Sequence, residues 1–399
     1  MNPNILIAGG GIGGLAAALA CARAGCRVQL FERASAFSEV GAGIQMGPNV
    51  VRLLHDWGLQ VPLAGVAAFP QRLAVRDALK GSELGQLPLG ERAQRLYGSP
   101  YATIARSDLH GLLLAAVEGR DGVQLFTDTR IDDYSAGDAG VSVTFGAGAQ
   151  ASGDGLIGAD GLWSRVRERL LGDGTPRVSG HVAFRAMVPQ GDLPPAQRNA
   201  DVTVWLGPRL HVVQYPVRGG DWLNVVAIIE GRTAVDDQDW DQGATQSQLL
   251  ASMPAACAPL TGLIESINHW RLWSLCDRPP MRGAWQQARG RVCLLGDAAH
   301  PMRPYLAQGA GMALEDAACL GALLSEAPAD GDAVPAVLQR YAESRWQRCA
   351  RVQARSIRNG EIFHASGAVR WGRDVAMRML GERLLDVPWL YGGGIRQQS

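Results

Sequence analysis

Hydrophobic and polar positions alternate in two different rhythms along this chain, and the change of rhythm divides it. Ile5 to Ala8 form a short apolar run, followed by a glycine-rich turn and an alanine-rich helical stretch over residues 15–24. Residues 27–31 then read as a second buried strand, so the chain opens with the strand, turn, helix, strand order of a doubly wound α/β unit. From about 178 to 278 the pattern changes to period-two alternation, in residues 201–205, 210–215 and 222–229, with Gly, Pro and Asp between the runs. That pattern predicts short strands in an antiparallel sheet. Val292 to Leu295 return to a buried strand, residues 313–324 to a helix, and residues 335–387 read as helices rich in Arg and Ala. Residues 73–97 leave the first unit and a helix over 107–117 re-enters it, with Ser107 or Asp108 as its N-cap. The expected organisation is a discontinuous nucleotide-binding domain (1–72, 98–177 and 279–334), an inserted β-sheet domain (73–97 and 178–278) and a C-terminal helical region (335–399).

Three separated motifs fit one cofactor. Gly9, Gly11 and Gly14, with Ile12 and Gly13 between them, form G-x-G-x-x-G directly after a strand and before a helix, the context in which a pyrophosphate sits on a helix N-terminus. Glu32, followed by Arg33, ends the second strand about 20 residues further on, where a carboxylate holds ribose hydroxyls and disfavours a 2′-phosphate. This first motif alone serves NAD as readily as FAD, and a glycine turn can be only a turn. The stretch Gly296 to Pro301 separates the nucleotides, because Asp297 can accept a hydrogen bond from a ribityl hydroxyl. A helix beginning near Gly309, Ala310, Gly311 and Met312 would aim its positive end at the pyrimidine edge of an isoalloxazine. NAD has neither group, so the reading is FAD.

On the strand over 210–215, alternation puts His211, Val213 and Tyr215 on one face and Leu210, Val212 and Gln214 on the other. The residues alone leave two readings open: satisfied polar core groups, or one wall of a ligand cavity at a domain boundary.

These motifs resemble the single-component flavin-dependent aromatic hydroxylases, the group A flavoprotein monooxygenases. The resemblance rests on the glycine fingerprint, Arg106 to His110, Gly158 to Ser164, Gly296 to Pro301 and Gln308 to Gly311, and spans nearly the whole chain. Gly41 to Gln45, Trp273 to Arg278 and Trp389 to Gly392 make it most similar to the 3-hydroxybenzoate 6-hydroxylases, with the salicylate and 6-hydroxynicotinate hydroxylases as neighbours. The family implies a Rossmann-like FAD domain with an inserted substrate sheet, NADH or NADPH as a transient reductant, O2 as co-substrate, and oxygen transfer through a flavin C4a-hydroperoxide to a small aromatic acid. It implies that His211 binds or deprotonates a ring hydroxyl and that Tyr215 orients it. It also implies FAD contacts from Arg106, Asp160 and Pro304, and an approach of Gln45 to the flavin or the substrate. Two departures matter. The 6-hydroxynicotinate enzymes carry histidine at Gln45, and the 3-hydroxybenzoate enzymes carry glutamine at Pro304, which leaves the regiochemistry open. Arg303 reads equally as a carboxylate ligand or a solvated residue, and His300 as a support for its turn. A homodimer through the Arg-rich C-terminal helices is expected by analogy.

Composition adds exclusions. The 399 residues are 47% hydrophobic and carry no formal net charge, with no long basic run, so nothing points to nucleic acid. No apolar stretch nears the ~18 residues of a membrane span and no leader pattern opens the chain, so a cytoplasmic enzyme is expected. Seven cysteines at irregular spacing make neither a disulfide framework nor a metal pattern. Cys21 and Cys26 read as structural thiols, placed near the adenosine end of the cofactor. The function classes left are a hydroxylase, another flavin redox enzyme such as an oxidase or dehydrogenase, and a non-catalytic flavoprotein.

Overall fold

The computed structural model describes residues 2–37, 42–231 and 242–393. Gly41 of the loop motif and residues 394–399 lie outside them.

The opening helix, Ile12–Arg23, is buried on nearly every side because it lies between a sheet and a second helix, Gly309–Glu326. Alanine and glycine make that possible. A Cβ on Gly321 would stand 2.8 Å from Ala20 Cβ, and one on Gly13 would stand 3.0 Å from Leu295 Cδ2. The sheet has six strands in the order Ala288–Arg289, Val292–Leu294, Gly155–Gly158, Asn4–Ala8, Arg27–Phe31 and Val123–Phe126, parallel except for the first pair. Ala8, Gly158 and Leu294 are laterally adjacent at the carboxyl ends of their strands. The three sequence motifs therefore converge at one crevice, where an open α/β sheet binds its ligand. Cys21 and Cys26 are buried thiols, and burial pushes Cys26 up to about 11.

A second sheet of eight strands runs Gln242–Thr245, His269–Asp277, Arg177–Pro189, Trp222–Glu230, Leu210–Val217, Val202–Gly207, Arg72–Asp77 and Glu83–Pro88. It is not purely antiparallel as the alternation suggested: Val202–Gly207 pairs in parallel with Arg72–Asp77. The latter arrives from the nucleotide unit through a long crossover, and only a short hairpin forces antiparallel pairing. Helices Gln246–Ser252 and Ala258–Glu265 cover one face of this sheet, over Leu210, Val212 and Val225. The opposite face carries His211 and Tyr215 and meets loops of the nucleotide unit.

The re-entering helix is Arg106–Val117, and its N-cap is Ala105. Neither Ser107 nor Asp108 caps it; the Ser107 hydroxyl donates to the Asp108 carboxylate instead. Helix Val334–Phe363, 30 residues and about 45 Å long, packs Val337, Leu338 and Tyr341 into the nucleotide core at its start. Its far end brings Phe363 and His364 to the substrate-side sheet. No helix among the described residues is long and apolar enough to cross a membrane.

Candidate active site

The glycine loop is shaped as a cradle. Gly9 has φ +100°, and a Cβ there would stand 2.5 Å from Ala159 O, while a Cβ on Gly14 would stand 1.8 Å from Gly9 O. Only backbone without side chains fits, which leaves the N-terminus of Ile12–Arg23, capped by Gly11, open to a phosphate. Ile12 has its side chain in the core, so only its backbone can serve a cofactor. Gly13 serves helix packing, as described above. Glu32 is fixed by two N–H donors, Gly10 to Oε2 at 2.6 Å and Ala34 to Oε1 at 2.8 Å, at the end of its strand; Arg33 is exposed. His110, buried, bonds the Gly10 carbonyl at 2.8 Å. A carbonyl only accepts, so Nε2 carries the proton and the imidazole holds the loop.

Asp160 lies against Gly9, but both its oxygens are engaged within the chain, by the Ser164 hydroxyl at 2.5 Å and by the N–H groups of Arg165 and Val166. It braces the start of helix Arg165–Leu171. Asp297 is the exposed residue of an otherwise buried run from Val292 to His300, and it faces the amino end of Gly309–Glu326. Gly309, Ala310 and Gly311 have first-turn N–H groups with no intrahelical acceptor. Met312 was expected to join them and does not: its N–H bonds Gln308 O at 2.8 Å and its side chain is buried. A cradle of this kind, with a carboxylate and a helix terminus at its far end, fits FAD.

Behind that helix lies a buried ionic network. Asp316 accepts from Arg345 at 2.7 Å and pairs with His300 Nε2 at 2.5 Å, and Glu315 is held by Arg345 and Arg348. His300 thus supports its turn. Burial pushes the Asp316 carboxyl up, but His300 and Arg345 outweigh it and hold it at about 2. A depressed carboxyl stabilises the fold above the ordinary carboxylate range, and that contribution is lost as pH falls through about 2. Asp316→Asn is expected to cost about 3–5 kcal/mol, since it takes the carboxylate from buried His300 and one of the two from buried Arg345; a urea midpoint unchanged from wild type would refute it.

The substrate-side wall is built by register. His211 lies opposite Ile228, and Tyr215 opposite Asn224, whose Oδ1 accepts from Gly43 N–H at 2.6 Å. A Cβ on Gly43 would stand 2.5 Å from Tyr215 Cε2, so this glycine lets the loop reach the sheet. Gln45 next to it accepts from Tyr101 OH at 2.8 Å. Arg185 stacks at 3.6 Å over Trp273 in the same sheet. His211 and Tyr215, four residues apart on one strand, are separated by about 13 Å along it, with Val213 between them on the same face. Burial, then His364 and His181, push the His211 imidazole well below its usual range, and burial pushes the Tyr215 phenol up.

Sequence reasoning missed three neighbours of His211. Tyr305 and Phe363 lie with ring centroids 5.0 and 5.4 Å away, and His364 Nε2 is 2.8 Å from His211 Nδ1. Tyr305 also bonds His181. No local pattern marks them, because His364 is 153 residues from its partner. Pro304, exposed, opens the turn Pro304–Leu306 that delivers Tyr305. Arg303 is not simply solvated: its Nε donates to the buried Asp277 at 2.6 Å. Arg106 is half-buried beside the segment that carries Gly43 and Gln45, its N–H on Ala42 O.

Residues 3–356 match the FAD binding domain family model. The chain is 38% identical to 3-hydroxybenzoate 6-hydroxylase 1 of Aquipseudomonas alcaligenes over 397 residues, covering 98% of each. It is 37% identical to 6-hydroxynicotinate 3-monooxygenase of Bordetella bronchiseptica over 88% of this chain and 90% of that one. Klebsiella pneumoniae HpxO, solved with FAD and uric acid, superposes with a TM-score of 0.83 at 26% identity, covering 96% of this chain and 94% of that one. With the glycine cradle, the Asp297 corner and full-length likeness in agreement, the chain belongs to the FAD binding domain family and is one of its FAD-dependent aromatic monooxygenases.

Proposed function

We propose that this enzyme hydroxylates a small aromatic acid bearing a ring hydroxyl, with His211 as the base and Tyr215 as the orienting group. The observation that carries the reading is their common face: a neutral histidine and a protonated phenol line one wall beneath the loops that end the FAD crevice. When bound, FAD reduced by NADH or NADPH supplies the activated oxygen derived from O2. The chain's own part is to prepare the ring. His211, kept neutral by burial, can take the phenol proton, and a phenolate is electron-rich at the positions that accept an electrophilic oxygen. Tyr215, kept protonated, donates a hydrogen bond to the substrate. Tyr305 and Phe363 pack against His211 and exclude water from the reacting atoms.

Cofactor contacts in this reading come from the Gly9 to Gly14 loop, Glu32, Arg106, Asp297 and the amino end at Gly309. Segments 1–72, 98–177 and 279–334 hold the cofactor, and 73–97 with 178–278 hold the substrate. Gln45 disfavours a hydroxynicotinate, and 3-hydroxybenzoate is the first candidate. Pro304, where those relatives carry glutamine, keeps decarboxylative hydroxylation of a salicylate as the second.

The test is oxidation of NADH and NADPH by the FAD-loaded enzyme against 3-hydroxybenzoate, salicylate and 6-hydroxynicotinate, with products weighed by mass spectrometry. The expected product from 3-hydroxybenzoate is one oxygen heavier; no stimulation by any of the three acids would sink the assignment. A cytoplasmic homodimer is part of the same proposal, and sedimentation as a monomer at working concentration would remove the dimer.

A further inference from the structure

His211 does not stand alone. Its Nδ1 lies 2.8 Å from His364 Nε2, and His364 Nδ1, which has no hydrogen-bond partner among the described residues, lies 3.5 Å from Glu230 Oε1, within ion-pair reach. His211 and His364 are buried, whereas the Glu230 side chain is 35% exposed. Chain segments of three origins meet here: His211 from its strand, Glu230 from the end of strand Trp222–Glu230, and His364 from the C-cap of helix Val334–Phe363. We infer that His211, His364 and Glu230 form a proton relay that carries the phenol proton from the buried substrate to the surface, with His364 and Glu230 as positioning residues acting through His211. The inference rests on the reading of His211 as the base.

The relay balances. The phenol O–H bond breaks as an N–H bond forms at His211 Nε2; His211 releases its Nδ1 proton to His364 Nε2; His364 releases its Nδ1 proton to Glu230, which passes it to water. Each imidazole starts and ends neutral with its proton on the other nitrogen. The reverse passage, as the product hydroxyl is reprotonated, resets both rings. A buried base without such a chain would have to hold an imidazolium where burial disfavours it.

The surroundings favour passage over storage. His181 stacks on His364 with ring centroids 4.9 Å apart and is bonded to Tyr305. Arg373, from helix Gly367–Leu380, donates to Ile362 O and Phe363 O beside His364. Arg303, held by Asp277, adds positive charge on the turn side. Together with burial, the largest cause, these hold His364 at about 3. Glu230 is the anion facing the group, and Arg209 fixes it at 3.3 Å while donating its own N–H to His364 O.

The experiment uses FAD-loaded enzyme without reductant and the ligand 3-hydroxy-4-nitrobenzoate, whose phenol and phenolate differ in visible absorbance. A stopped-flow pH jump then reads how fast the bound ligand ionises. His364→Ala is expected to slow ionisation about tenfold or more, with the final extent unchanged and the rate restored by added imidazole. Glu230→Gln, at the outer end, is expected to slow it about threefold. If His211→Gln abolishes ionisation while both relay variants keep the wild-type rate, the base stands and the relay falls. A slow His364→Ala that imidazole does not rescue, with Glu230→Gln at wild-type rate, marks a structural role and also overturns the relay. Should His211→Gln ionise the ligand like wild type, the base reading itself is lost.

Discussion

His211→Gln should retain its flavin and lose product by about two to four orders of magnitude, the range a positioned general base contributes. The size follows from burial. His211 is enclosed by His364, Tyr305 and Phe363, leaving little room for water to replace it as a proton acceptor. Glutamine keeps similar bulk and hydrogen-bonding capacity but cannot take the proton, so the ring stays a neutral phenol and oxygen is wasted as peroxide. The pH profile carries the sign. A base whose pKa is lowered by burial remains neutral below the usual histidine range. As far as this group is concerned, the wild-type rate is flat from pH 8 to below about 6.5 and falls only in more acid solution. In the variant, product formation should instead climb as pH rises toward the phenol pKa near about 10, because solvent then ionises the substrate. Product per NADH consumed, measured from pH 6 to about 9, decides it; a flat profile with wild-type coupling in the variant would exclude His211 from the chemistry.

How far this site could be read from sequence depends on how local its constraints are. The Gly9 to Gly14 loop was legible because the close approach of Gly14 to Gly9 allows no side chain, and the spacing between them is short. The shared face of His211 and Tyr215 was legible because period two needs nothing beyond the strand itself. The same period is silent about partners, and so it could not distinguish the parallel pairing of Val202–Gly207 with Arg72–Asp77 from an antiparallel one. Met312 was misread by one helical position: its N–H already closes the first turn on Gln308, a boundary sequence patterns do not resolve. Arg303 and His364 stayed undecided or unseen for a different reason. Their partners, Asp277 and His211, come from other elements of the chain and are fixed only when the sheet, the Pro304–Leu306 turn and the 30-residue helix pack together.

Gly14→Ala should purify with FAD content reduced about tenfold or more, an effect that leaves the loop little way to compensate. The added methyl would sit 1.8 Å from Gly9 O, and that oxygen belongs to backbone already pinned on both sides. Gly9 N–H bonds Phe31 O at 2.8 Å, and the residue is in the left-handed region at φ +100° against Ala159. Neither neighbour can move without opening the parallel sheet or dragging His110 off the Gly10 carbonyl. Overpacking in a well-packed core costs about 1–3 kcal/mol, and here the strain falls on the turn that must offer its N–H groups to the pyrophosphate. Gly25→Ala is the control: its φ is +82°, so it bears a left-handed backbone penalty that helical Gly14 does not, but a Cβ there meets nothing within 4 Å. Gly25→Ala should lose some stability while keeping its flavin. Equal FAD content in the two variants, from the visible absorbance of flavin per mole of protein, would show that the loop yields, and the cradle would then not be what holds the cofactor.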